Sequence, residues 1–147
     1  MNISSSILMP IIKAGILNSR LSDAQKNVID DAKILETYKL AKPHDFAHLI
    51  CEVLKKENIS LKNELLLKEL KKAQSIAIYR YSMLSFEATQ LSATLEKHGI
   101  KHMLLKGAVI REHYPSPWMR TSCDIDILIH REDLSAATKM LCDELNF

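Results

Sequence analysis

Three glycines and four prolines are all the punctuation that 147 residues carry. A fold of many short strands needs a turn signal every ~8–12 residues, so this scarcity excludes an all-β sandwich or barrel and points to helices. The balance of 47% hydrophobic and 26% charged residues is that of a globular chain and not of a disordered tail. Aromatic residues are few, three Phe, four Tyr and one Trp, so the core has to be built from Leu, Ile, Ala, Val and Met. A chain of this length can bury roughly 68–70% of its unfolded surface, enough for a true core.

Charge and cysteine usage narrow the function classes. Twenty basic and eighteen acidic side chains leave a net charge of +2, too weak to imply a nucleic-acid or membrane partner. Cys51, Cys123 and Cys142 are odd in number, far apart and without a CxxC pair. That pattern excludes a disulfide framework and a thiolate zinc site and suits a reducing compartment. No apolar run approaches the ~18–20 residues of a membrane span. The segment from Met1 to Gly15 is broken by Pro10 and holds Lys13 inside its apolar part, which makes a poor signal peptide. The expected location is cytoplasmic.

The first hundred residues read as helices. Ile7 to Leu17 is a short apolar segment, helical around Pro10. Ser22 and Gln25 form a capping box, in which hydroxyl and amide each satisfy an orphan backbone N–H. Val28, Ala32, Leu35 and Leu40 then give an apolar stripe. Pro43 stands where a helix can begin, and Phe46, Leu49, Ile50, Val53 and Leu54 follow at i, i+3, i+4, i+7 and i+8. Ser60 caps a long helical stretch from Leu61 to about Lys97, with Leu65, Leu66, Leu70, Ala73, Ala77, Tyr81, Leu84, Ala88, Leu91 and Leu95 on its apolar face. Such length predicts a break near Ser75 or Ser82. Tyr79, Tyr81 and Phe86 read as packing residues of this helix. The lysines between residues 55 and 72, interleaved with Glu57, Glu64 and Glu69, read as a solvated face.

The pattern changes at His98-Gly99, where glycine after a helical run signals a C-cap. Ile100 to Leu105 is strand-like, Lys106-Gly107 ends it, and Ala108 to His113 can form a brief helix. Tyr114-Pro-Ser-Pro117 is a loop. Ile125 to Ile129 is β-branched and strand-like, and Leu134, Ala137, Leu141 and Leu145 carry a last helix. The order is helices first, then β-α-β-α.

Chemistry concentrates in this second part. In an extended run, Asp124, Asp126, Leu128 and His130 share one face, and Ile125, Ile127 and Ile129 share the other. Two carboxylates roughly 5 Å apart repel by about 3 kcal/mol at an effective dielectric of ~20. A cation between them relieves this, and Mg²⁺ is the hard, oxygen-preferring choice. A bare Asp-x-Asp equally suits an exposed edge strand paired with Arg120 and Arg131. Lys106-Gly107 adds a second element: glycine lets a phosphate approach the backbone, and the lysine adds a positive charge. A solvated lysine beside a turn glycine is its plainer meaning. Together they form a phosphoryl-transfer layout. His98, His102, His113 and His130 lack metal-ligand spacing, Cys123 reads as a core thiol, and Trp118 reads as a loop anchor in preference to a base-stacking residue.

These residues resemble the nucleotidyltransferase superfamily typified by DNA polymerase β. They resemble more closely a bacterial nucleotidyltransferase-like family with a "Lys-Gly … Arg … Asp-hydrophobic-Asp" signature. The long helix, Ile100–Leu105, Lys106-Gly107 and Asp124-Ile125-Asp126 fall in that order, and the likeness covers roughly residues 75 to 147. It implies transfer of a nucleoside monophosphate from Mg-NTP to a hydroxyl acceptor by a two-metal mechanism. Asp124 and Asp126 are the implied catalytic and metal-binding residues, holding two Mg²⁺ ions. Lys106 and Gly107 lie at the triphosphate, and Arg120 either contacts phosphate or orients the aspartates. Two departures are visible. Ala108 replaces a common serine, removing one hydroxyl contact to phosphate. The superfamily's third carboxylate, on a later strand, has no counterpart before Phe147.

The expected fold class is therefore α+β, predominantly α: a helical region over residues 1–74 and a partial β-α-β-α nucleotidyltransferase core over 75–147. The chain is expected to be C-terminally truncated, its last helix stopping at Glu144-Leu-Asn-Phe147 without a cap glycine. It is expected to be an active enzyme if the full-length chain supplies the third carboxylate. The alternative is an inactive remnant serving as a helical interaction module, with the long helix as a surface for oligomers or partners. NTP is the expected ligand, and neither membrane nor nucleic acid is expected as a partner.

Overall fold

The computed structural model describes the backbone of residues 3–145 and the side chains of residues 7–144. Asn146 and Phe147, on which the expectation of an uncapped helix end rests, lie outside the described residues, as do Met1, Asn2 and the side chain of Leu145. Seven α-helices and one two-stranded antiparallel sheet make up this part, so the fold is α+β and predominantly α. No helix among the described residues is long and apolar enough to cross a membrane.

Helix α1 (Ile3–Ile16) contains Pro10 and packs Ile7, Leu8, Ile11 and Ala14 inward. The short α2 (Asp23–Asn27) opens on Ser22, whose hydroxyl accepts from the Gln25 N–H while the Gln25 amide oxygen accepts from the Ser22 N–H. Helix α3 (Asp31–Ala41) is capped by Asp30 and buries Ile34, Thr37, Tyr38 and Ala41. The expected stripe of Val28, Ala32, Leu35 and Leu40 is thus out of phase. The chain leaves helical geometry between α2 and Asp30, so Val28 and Leu40 face solvent. Pro43 does not begin the next helix: it sits in a 3₁₀ turn, Lys42–His44, that continues α3. Helix α4 (Ala47–Lys56) follows, with Leu49, Ile50, Val53 and Leu54 all buried as their spacing predicts.

Helix α5 (Glu64–Lys97) runs 34 residues without the expected break near Ser75 or Ser82. Its cap is Asn63 and not Ser60: the Asn63 side-chain oxygen Oδ1 accepts from the Leu66 N–H, and the Asp31 carboxylate draws in the N–H groups of Lys62 and Asn63. At the far end Ile100 N–H donates to Leu95 and Gly99 N–H to Glu96, while Gly99 takes φ +71°, a Schellman cap. Leu66, Leu70, Ala77, Ala88, Leu91 and Leu95 are buried. Leu65, Tyr79 and Phe86 lie on the opposite side and are exposed, contrary to the packing roles expected of them.

Two apolar clusters use this one helix. The first joins α1, α3 and α4 to Leu66 and Leu70. The second joins Leu91 and Leu95 to Ile100 and to Ala137 and Met140 of α7 (Leu134–Leu145), with Ile125, Ile127 and Ile129 packed against them. Strands β1 (His102–Leu104) and β2 (Ile127–Ile129) pair His102 with Ile129, Met103 with Leu128 and Leu104 with Ile127. Both are shorter than expected. Between them stand α6 (Gly107–Ile110) and 3₁₀ turns at Arg111–His113 and Pro117–Met119.

Glu57 is a correction to the solvated-face expectation. Its carboxylate is fully buried, 2.6 Å from the Lys26 ammonium, and accepts from the Leu21 N–H at 3.2 Å. The Lys26 contact holds its pKa below the ordinary 4.5, against the opposing effect of burial, with Leu21 and Arg20 assisting. A depressed carboxylate pKa means that this contribution is complete above about 4.5 and is lost as pH falls through the folded value. Glu57→Gln should lower stability by about 2 kcal/mol at pH 7, measured by urea unfolding. The wild-type advantage should shrink as pH falls below 4.5 and on through the lowered folded-state value; a difference that does not shrink with falling pH would refute this assignment.

Candidate functional site

The sheet delivers the chemistry-bearing residues. Pairing continues one step past β1, where the Leu105 N–H donates to the Asp126 carbonyl at 2.9 Å. Asp126 therefore lies opposite Leu105, at the point where the chain turns away through Lys106 and Gly107. Lys106 takes φ +38°, a conformation disfavoured for any residue with a side chain and worth about 1–3 kcal/mol of strain. Its carbonyl accepts from Val109 and Ile110, which starts α6. Its ammonium reaches back to 3.5 Å from the Asp126 carboxylate.

Gly107 is buried against the approaching segment 120–122. A Cβ here would stand 3.3 Å from Cβ and Oγ of Ser122 and 3.4 Å from Nη1 of Arg120. A side chain at this position would press on Ser122 and Arg120, which would have to give by a few tenths of an ångström, so glycine suits the close approach of the two segments. The Gly107 amide N–H has no acceptor among the described residues.

Arg111, one turn along, closes the arrangement. It is 4% exposed. Its Nε donates to the Gly107 carbonyl at 2.7 Å and its Nη2 to Ser122 Oγ at 2.9 Å, and its guanidinium lies 5.7 Å from the centre of the Tyr81 ring on α5. Arg120 is placed by a different anchor. His48, buried on α4, donates from Nε2 to the carbonyl of Met119 at 2.9 Å, and its ring meets Trp118 edge-on at 5.9 Å. Trp118 thus sits in the loop-anchoring contact expected of it. Burial pushes the His48 pKa below 6.5, against the Met119 carbonyl and Asp45.

Of the residues singled out in the sequence, Lys106, Gly107, Arg120 and Asp126 are brought together. Asp124 is exposed and has no ion pair or hydrogen bond joining it to them among the described residues; it borders an apolar groove of about 360 Å³ with Leu84, Leu91, Ile125 and Leu141. Neither aspartate lies within the short β2 itself. Cys123, expected in the core, is exposed, because the chain before Asp126 has left the ladder and no longer alternates faces as a strand. Among the described residues no three His, Cys, Asp or Glu side chains form a group that could hold a metal.

Three participants were not foreseen. Ser122 has a sequence signal, since Arg120, Ser122, Asp124 and Asp126 recur with period two. Arg111 stands four residues after Gly107, on the same helical face. His48 has none, being one polar residue next to the apolar face of an amphipathic helix. The outcome around Gly107 is three cationic side chains, Lys106, Arg111 and Arg120, with one paired carboxylate, a setting for a polyanion.

A family model described as an uncharacterised nucleotidyltransferase matches residues 30–145, and the chain belongs to that family. No curated protein and no solved structure matches it.

The His48 anchor makes a testable demand. A base kept neutral by burial supports the fold fully above pH 6.5 and progressively less as pH falls, because the unfolded chain takes up the proton more readily. His48→Gln, which keeps a donor and does not titrate, should flatten the stability change between pH 7 and 5.5. His48→Leu should cost about 1–3 kcal/mol by leaving the Met119 carbonyl unpaired. Parallel stability curves for wild type and His48→Gln would contradict the buried neutral histidine.

Proposed function

From its membership of a nucleotidyltransferase family, we propose that the chain transfers a nucleoside monophosphate from NTP to a hydroxyl acceptor, releasing pyrophosphate. The observation that carries this is the meeting of the Lys106-Gly107 turn with Arg120 on one side and Asp126 on the other. Donors and positive charge on the turn suit a triphosphate. A carboxylate one ladder step away suits the metal that accompanies it.

Gly107 offers its backbone N–H, Arg120 its guanidinium and Lys106 its ammonium to the phosphates. Asp124 and Asp126 are hard oxygen donors of the kind Mg²⁺ takes. Two carboxylates, with phosphate oxygens and water filling the shell, are a usual set for that ion. Bound by these two residues, Mg²⁺ would offset triphosphate charge and activate the acceptor hydroxyl, in the two-metal form implied by the resemblance. The acceptor remains a hydroxyl compound of unspecified class, because fold does not choose among acceptors.

The test is thermal unfolding with Mg²⁺ and each of ATP, CTP, GTP and UTP. One nucleotide should raise the midpoint by several degrees, and EDTA should abolish the rise. Asp124→Asn and Asp126→Asn should each remove the Mg²⁺-dependent rise and shift the ligand-free midpoint by less than about 2 °C, since both side chains are solvent-accessible. Stabilisation that survives in both variants would sink the site assignment. The absence of any shift in the wild type would favour a helical interaction module without catalysis.

A further inference from the structure

We infer that Ser122 is a phosphate-contacting residue of this site and that buried Arg111 is the positioning residue that sets its hydroxyl. The inference rests on the reading of the Gly107 turn as the triphosphate site.

A guanidinium at 4% exposure normally has a carboxylate partner. Among the described residues none lies within 4 Å of Arg111. Its hydrogen bonds go to two neutral oxygens, the Gly107 carbonyl and Ser122 Oγ. The positive charge is thus held beside the turn without an internal anion.

The direction of the second bond decides what Ser122 can do. Ser122 Oγ accepts from Arg111, so its own proton is free to be donated, and no described residue accepts it. A hydroxyl that accepts from a cation is polarised into a stronger donor. Ser122 Oγ stands 3.3 Å, and Arg120 Nη1 3.4 Å, from the position of a Cβ on Gly107. Arg120 likewise has no carboxylate within 4 Å among the described residues. The Gly107 N–H, the Ser122 O–H and the Arg120 guanidinium therefore lie around one glycine, three donors with no acceptor among the described residues. A tetrahedral oxyanion satisfies such a set, and a phosphate group of a nucleoside triphosphate is that oxyanion here. Arg111 is too buried to share the contact and acts through Ser122. Its fork bridges two oxygens at fixed geometry, which a lysine ammonium cannot copy.

The experiment is equilibrium titration of the whole chain with Mg²⁺ and each of the four NTPs, and with Mg²⁺ and inorganic triphosphate. Ser122→Ala should raise the dissociation constant about 10- to 100-fold. The same factor should appear for inorganic triphosphate, while the ligand-free unfolding midpoint should fall by a few degrees as buried Arg111 loses one acceptor, with binding measured on folded protein well below it. Arg111→Lys should weaken binding similarly, and the double variant no more than the worse single one, as expected when one residue acts through the other. A Ser122→Ala variant that binds like wild type overturns the inference. So does a loss confined to NTP and absent for inorganic triphosphate, which would place Ser122 at the nucleoside. A wild type that binds no NTP overturns the triphosphate reading itself, and this inference with it.

Discussion

The length of α5 is the constraint on which the other elements depend. At 1.5 Å per residue its 34 residues span about 50 Å, far more than one small core can cover. The helix solves this by serving two cores in succession. Leu66 and Leu70 enter the cluster of α1, α3 and α4, and Leu91 and Leu95 enter the cluster of α7 and the sheet. Most stability of a helix comes from such packing and not from propensity, and in the middle, where Tyr79 and Phe86 are exposed, Ala77 and Ala88 are buried on the other face. Both ends are closed by specific groups, Asn63 with Asp31 at the start and Gly99 with Ile100 at the finish.

That arrangement leaves the central turns of α5 beside the candidate site. Tyr81 gives its ring to Arg111, and Arg111 in turn ties Gly107 to Ser122. The helical first half reaches the same place by a separate route, from His48 through the Met119 carbonyl to Arg120. Two buried polar contacts from different elements thus set the positions of residues that lie far apart in the chain. In a low-dielectric interior such contacts are specific in geometry and expensive to break. The strained Lys106 lies between Leu105, whose N–H is held by the Asp126 carbonyl, and Gly107, whose carbonyl is held by Arg111.

Much of this was legible where near neighbours decide the outcome. The Ser22–Gln25 box, the buried face of α4 and the Gly99 cap depend on residues within a turn or two, and each is seen where the pattern places it. Legibility failed where a distant group intervened. Ser60 and Asn63 are both good caps, and the choice fell to Asn63 because Asp31, thirty-two residues earlier, captures its N–H. Glu57 looked like one more charge on a lysine-rich surface, yet Lys26 and Leu21 draw it inside. Cys123 was assigned a strand's alternation, but pairing ends at Asp126 and the alternation ends with it.

By itself the sequence determined the predominance of helix, the position of the two short strands, and the segment carrying the chemistry. These follow from the rarity of turn residues, from apolar periodicity and from the Lys-Gly and Asp-x-Asp signals, all local in the chain. Tertiary structure alone decided which polar groups meet: Lys106 with Asp126, Gly107 with Arg120 and Ser122, Arg111 with both sides of the turn, and His48 with Met119. The physical reason is that most of these contacts join segments eleven to seventy-one residues apart, Arg111 with Gly107 being the local one. Their geometry is set by how two cores share one helix, and no short-range pattern records that.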